Sequence, residues 1–133
     1  MRDESLAPLV LVVDDYADAR FLLSYVLADA GFRLVYAENG PEAIAMAREH
    51  HPDAIVMDLH LPGMSGLEAA RRIKADAALA TIPVVANTLS SAPVTADHAI
   101  FDAVCTKPSS PESLVEAVRR VLRFKAEMQR NNL

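Results

Sequence analysis

The stretch Ala54-Ile-Val-Met-Asp58-Leu-His60-Leu-Pro62-Gly63-Met-Ser65-Gly66-Leu-Glu68 decides how the rest of the chain is read. Four apolar residues with no polar alternation describe a strand covered on both faces, as in a parallel sheet. A carboxylate ends that strand, Pro62-Gly63 turns the chain away, and Ser65-Gly-Leu-Glu68 has the form of a capping box that opens a helix. Strand, carboxylate, turn and helix thus follow one another within fifteen residues.

Outward from this stretch the same alternation repeats. Leu9–Val13, Leu34–Ala37, Val84–Ala86 and Ala103–Cys105 are further short apolar runs, and segments of helical period lie between them. The first helix is expected to bury Leu22, Leu23, Val26, Leu27 and Ala30 and to close on Gly31 in the left-handed conformation. The second starts at Gly40-Pro41, with proline at the first helical position, and ends in His50-His51 before Pro52. The last starts around Ser109-Ser-Pro-Glu112 and buries Leu114, Val115, Val118, Val121 and Leu122. Between the fourth and fifth strands, Ser90 to Ile100 has little periodicity, and a short or irregular helix is expected there. Strands alternating with helices imply right-handed crossovers and a doubly wound parallel α/β sheet of five strands with about five helices. One domain, 1–133, is expected, with a core of about 8–122 and a helical overhang or frayed tail over 123–133.

Composition narrows the function. The net charge is −5 and no basic run could track a phosphate backbone, so no nucleic-acid partner is expected. The acidic N-terminus is unlike a secretory signal, and the first apolar segment stops at Asp14, far short of a membrane span. A cytoplasmic chain with no membrane partner is expected. Cys105 is the only cysteine, which excludes an internal disulfide, and its apolar neighbours make it a buried packing residue. Met46, Met57 and Met64 read as core and loop fillers, and His50, His51 and His98 as solvated surface without metal spacing.

In doubly wound sheets the functional site lies at the carboxyl ends of the strands. Those ends carry Asp14-Asp15, Asp58, Thr88 and Lys107. Three carboxylates on one rim repel one another and call for a cation, and Mg²⁺ suits a site of few carboxylates and several waters. A carboxylate can act as nucleophile and carry an aspartyl phosphate, while a metal, a hydroxyl and a lysine stabilise charge on the transferred oxygens. Each element alone is common turn or capping chemistry; their convergence is what carries meaning.

The order Val-Val-Asp14-Asp15, Val-Met-Asp58-Leu-His-Leu-Pro62-Gly63-Met-Ser-Gly66, Pro83-Val-Val-Ala-Asn-Thr88 and Thr106-Lys107-Pro108 resembles the response-regulator receiver family over roughly residues 8 to 122. The resemblance implies a flavodoxin-like sheet of order 2-1-3-4-5. It implies Asp58 as phosphoacceptor and Mg²⁺ held by Asp14, Asp15, Asp58 and the backbone carbonyl of His60. Thr88 and Lys107 would contact the phosphoryl oxygens, and Pro108 follows a peptide that is often cis in the family. A sensor histidine kinase or histidine phosphotransfer protein would supply the phosphoryl group, and the chain would catalyse its own phosphorylation and dephosphorylation before signalling to a downstream protein. The chain departs from the family at Val104, where an aromatic residue is usual, at Ile100-Phe101, where Gly-Ala is usual, and at Leu89, where a small residue is usual. Those departures keep open a receiver-like interaction module that needs no phosphorylation. A haloacid-dehalogenase-like phosphatase also uses Asp and Mg²⁺, but that family wants Asp-x-Asp after the first strand, where Asp14 and Asp15 are adjacent. His60 and Ser90, each two residues past a site residue, are expected to tune hydrolysis.

Overall fold

The computed structural model describes residues 7–88, 100–107 and 110–131. The expected helix over Ser90–Ile100 (apart from Ile100 itself), with Leu89, His98 and Pro108, lies outside them. Nine elements are described: β1 (Leu9–Val13), α1 (Ala17–Asp29), β2 (Arg33–Ala37), α2 (Gly40–His50), β3 (Ala54–Met57), α3 (Gly66–Ala75), β4 (Val84–Thr88), β5 (Ala103–Thr106) and α4 (Pro111–Asn131). The strands form one parallel sheet in the order β2-β1-β3-β4-β5, the flavodoxin-like arrangement expected.

Side chains alternate across the sheet and build two apolar layers. Leu11, Val13, Ile55, Met57, Val84 and Ala86 face α2 and α3, meeting Ile44, Ala47, Ala70 and Ile73. Val10, Val12, Val56, Val85 and Cys105 face α1 and α4, meeting Leu27, Leu114, Val118 and Val121. Met57 is fully buried, and Met46 and Met64 pack against the first layer. Ile100 and Phe101 fill the same layer just ahead of β5.

Helix ends follow their sequence signals. Gly31 has φ 98° and closes α1, with its N–H bonded to Ala28 O and that of Phe32 to Leu27 O. Asn39 caps α2, its side-chain oxygen accepting from Glu42 N at 2.8 Å. Ser65 caps α3 by accepting from Glu68 N at 3.1 Å, while the Glu68 carboxylate turns to Arg72 at 3.1 Å. The segment after Leu122 continues α4 to Asn131, a helical overhang.

Two expectations need correction. Leu22 does not join the buried stripe of α1: it is 61% exposed, because Leu23, Leu27 and Ala30 at i, i+4 and i+7 already fill the seam. The outer strands are less buried than expected: Leu34 and Val35 of β2 pack only partly against opposite layers, and Tyr36 and Val104 are exposed, since each outer strand has a neighbour on one side only.

Candidate functional site

Three backbone bonds bring the strand ends to one rim. Asp14 N donates to Ala37 O at 3.2 Å, Asp58 N to Val13 O at 2.9 Å, and Lys107 N to Thr88 O at 2.6 Å. Each extends the parallel pairing one residue past a strand, so the polar residues emerge level with one another. Asp14 and Asp58 are 1% and 7% exposed, and Asp15 is exposed beside them.

Carboxylate oxygens of Asp14, Asp15 and Asp58 all lie within 4.8 Å of one another. At that separation two like charges repel by roughly 3.5 kcal/mol at an effective dielectric of about 20. Lys107 offsets part of this: its Nζ lies 3.0 Å from Asp14 Oδ2 and 3.5 Å from Asp58 Oδ2. One ammonium against three carboxylates leaves the rim short of positive charge, and the donor set is all hard oxygen. Both features fit a Mg²⁺ ion held by Asp14, Asp15 and Asp58.

The remaining oxygens are held by the backbone. Asp14 Oδ1 accepts from Tyr16 N at 3.0 Å, and Asp58 Oδ1 accepts from His60 N at 3.0 Å. The latter bond closes a tight turn over Asp58 and fixes the carboxylate, and the His60 side chain is exposed. Thr88 is fully buried at the end of β4. Gly66 packs tightly against the backbone of Asp58: a Cβ there would stand 2.2 Å from Asp58 O. The expected residues Asp14, Asp15, Asp58, Thr88 and Lys107 are therefore gathered at one rim, with the His60 main chain beside them; Ser90 lies outside the described residues.

Two residues of this rim were not singled out from the sequence. Arg20 Nη1 donates to Asp14 O at 2.8 Å, and its Nη2 to Glu38 Oε1 at 3.1 Å, so it braces the loop after β1. A target that is a main-chain carbonyl leaves no side-chain signature to read. Asn87, one residue before Thr88, is 3% exposed, and its Oδ1 is buried with no hydrogen-bond partner among the described residues. Farther down β5, burial pushes the Cys105 thiol up, with Arg120 opposing weakly, so this cysteine is held neutral and away from the site chemistry.

Comparison with known proteins agrees with this geometry. Residues 10–119 match the response regulator receiver domain family. The phosphate regulon transcriptional regulatory protein PhoB of Pseudomonas aeruginosa is 38% identical over 122 residues, covering 86% of this chain and 51% of that protein. Protein PilH of the same organism is 32% identical over 116 residues, covering 85% of this chain and 96% of that protein. The chain thus spans about half the length of PhoB and nearly all of PilH. Among solved structures, the Vibrio cholerae chemotaxis protein CheY4 superposes with a TM-score of 0.81 at 30% identity, covering 86% of this chain and 98% of that one. With the family match extending from the strand before Asp14-Asp15 to the last helix, and the parallel sheet in the order that family implies, the chain belongs to the response-regulator receiver family.

Proposed function

We propose that this chain is a phosphoacceptor receiver of a two-component or phosphorelay system, with Asp58 as the residue phosphorylated. The observation that carries it is the cluster itself: three carboxylates within 4.8 Å, with the Lys107 ammonium 3.5 Å from Asp58 Oδ2. An Asp58 oxygen attacks phosphorus, the phosphorus–nitrogen bond of a phosphohistidine breaks, and the imidazole leaves as the aspartyl phosphate forms. Water then attacks phosphorus, the bond to Asp58 breaks, and inorganic phosphate departs. Mg²⁺, when bound by Asp14, Asp15, Asp58 and the His60 carbonyl, supplies charge neutralisation at the phosphoryl oxygens. Lys107 adds a point charge and Thr88 a hydroxyl donor. His60, exposed two residues past Asp58, would influence the attacking water.

The phosphodonor is a sensor histidine kinase or a histidine phosphotransfer protein, and output passes to a downstream protein by direct contact. An exposed apolar surface supports a protein partner: Phe21, Leu22 and Tyr25 are each more than 60% exposed on α1. The net charge of −5 argues against nucleic acid as partner. No helix among the described residues is long and apolar enough to cross a membrane; phosphotransfer from a histidine kinase would take place in the cytoplasm.

Labelling with acetyl phosphate and Mg²⁺ tests the assignment. Wild type should take up about one phosphoryl group and Asp58→Asn none. An unlabelled wild type, or a variant that keeps the label, overturns it.

A further inference from the structure

Asn87 is the one polar side chain of β4 ahead of Thr88, in a strand whose residues Val84, Val85 and Ala86 are apolar and fully buried. An amide oxygen buried without a donor costs stability, and a leucine, with the same number of side-chain heavy atoms and the same branching, would avoid that cost. The residue therefore invites a functional reason.

Its place in the sheet supplies one. Val85 faces the α1 and α4 layer, so Asn87, two residues on, faces the same way. Asn87 is paired in register with Cys105, which also faces that layer, and Lys107 follows Cys105 by two. From the end of β5 the Lys107 side chain reaches Asp58 at the end of β3 and Asp14 at the end of β1. β4 lies between β5 and β3, so the lysine stem must cross the end of β4 on the side where Asn87 projects.

We propose that Asn87 is a positioning residue for Lys107, its carboxamide oxygen accepting an ammonium N–H once the Asp14 and Asp58 oxygens are engaged by Mg²⁺. The inference rests on the phosphoacceptor reading above. Lys107 now bonds to the very carboxylates a divalent ion needs. An ammonium has three donors and no acceptor, so a lysine leaving those carboxylates needs another partner while it also serves a phosphoryl oxygen. A neutral amide oxygen meets that need without adding a negative charge beside an incoming anion. With leucine at this position the lysine has only the carboxylates to return to, and it competes with Mg²⁺ for them.

Calorimetric Mg²⁺ titration of the full chain, in wild type, Asn87→Leu, Lys107→Met and the double variant, tests this as a double-mutant cycle. Asn87→Leu should weaken Mg²⁺ binding at least three-fold, yet change it little in the Lys107→Met background. Its melting temperature reports whether the larger apolar side chain is accommodated at this buried site, and Asn87→Val serves if leucine does not fold. In wild type the Asn87 carboxamide carbon resonance should move on Mg²⁺ addition, and in Lys107→Met it should stay. Unchanged affinity in Asn87→Leu, or an equal loss in both backgrounds, overturns the proposal. A wild type that binds no Mg²⁺ and takes no phosphoryl label fails the phosphoacceptor reading itself, and the inference falls with it.

Discussion

Lys107 Nζ lies 3.0 Å from Asp14 Oδ2, an ion pair that joins residues 93 apart in the chain and spans the end of the sheet from β5 to β1. Asp14 is almost wholly buried and the lysine side chain is 20% exposed, so water screens this pair less than a surface one. The same ammonium is within 3.5 Å of Asp58. Lysine and metal therefore draw on a shared set of oxygens.

Mg²⁺ should accordingly stabilise the fold, and do so through Asp15. A ligand that binds only the folded state at ten times its dissociation constant contributes about 1.4 kcal/mol, which for a chain of this size raises the melting temperature by roughly 5 °C. Asp15→Ala should abolish that rise, because Asp15 is the exposed member of the cluster and its loss leaves the buried pair intact. Lys107→Met should tighten Mg²⁺ binding by removing the competing cation. Differential scanning fluorimetry across a Mg²⁺ series measures both, and an equal rise in Asp15→Ala would place the ion elsewhere.

How much of this was legible in the sequence depends on what each residue contacts. Strands β1 and β3 were bounded to the residue, because they are buried on both faces and stop at carboxylates. The outer strands were read too short and too buried, since apolar character does not report whether a neighbour lies on one side or two. Leu22 was misplaced on α1 because the apolar residues Phe21, Leu22 and Tyr25 extend around the helix beyond the seam. At the site, Asp14, Asp15, Asp58, Thr88 and Lys107 were found because each ends a strand. Arg20 acts on a carbonyl and Asn87 lies inside a strand, so neither had a pattern that marked it.

Gly66 gives a stability prediction that needs no metal. A Cβ at this position would meet Asp58 O at 2.2 Å and Leu59 Cα at 2.8 Å, both backbone atoms that cannot swing aside. The start of α3 would have to shift off the loop that carries Asp58, as in overpacked cores that lose about 1–3 kcal/mol. Gly66→Ala should therefore lower the melting temperature by roughly 4–11 °C and slow acetyl phosphate labelling with it. Gly63, whose φ of 71° is the left-handed region but whose Cβ would meet nothing within 4 Å, offers the comparison: Gly63→Asn should cost less, since asparagine tolerates that conformation. Equal losses for the two variants would show that backbone conformation, not the close approach to Asp58, sets the requirement at Gly66.

The last prediction separates the chemistry of Asp58 from recognition of its donor. Phe21 and Tyr25 are 76% and 68% exposed, one helical turn apart on α1, and Tyr16 at the N-cap of that helix bonds through its N–H to Asp14. That main-chain bond ties the start of α1 to the rim that holds the carboxylates. Aromatic side chains are enriched among interface hot spots, whose truncation costs about 2 kcal/mol or more, on the order of thirty-fold. Phe21→Ala with Tyr25→Ala should therefore slow phosphotransfer from a phosphohistidine protein by at least ten-fold. The same pair should leave acetyl phosphate labelling and the melting temperature near wild type, because neither ring contributes to the buried layers. Parallel rate measurements with the two donors decide the matter: equal slowing with both would mean the rings support the site itself, and no slowing with either would put the donor's docking surface elsewhere.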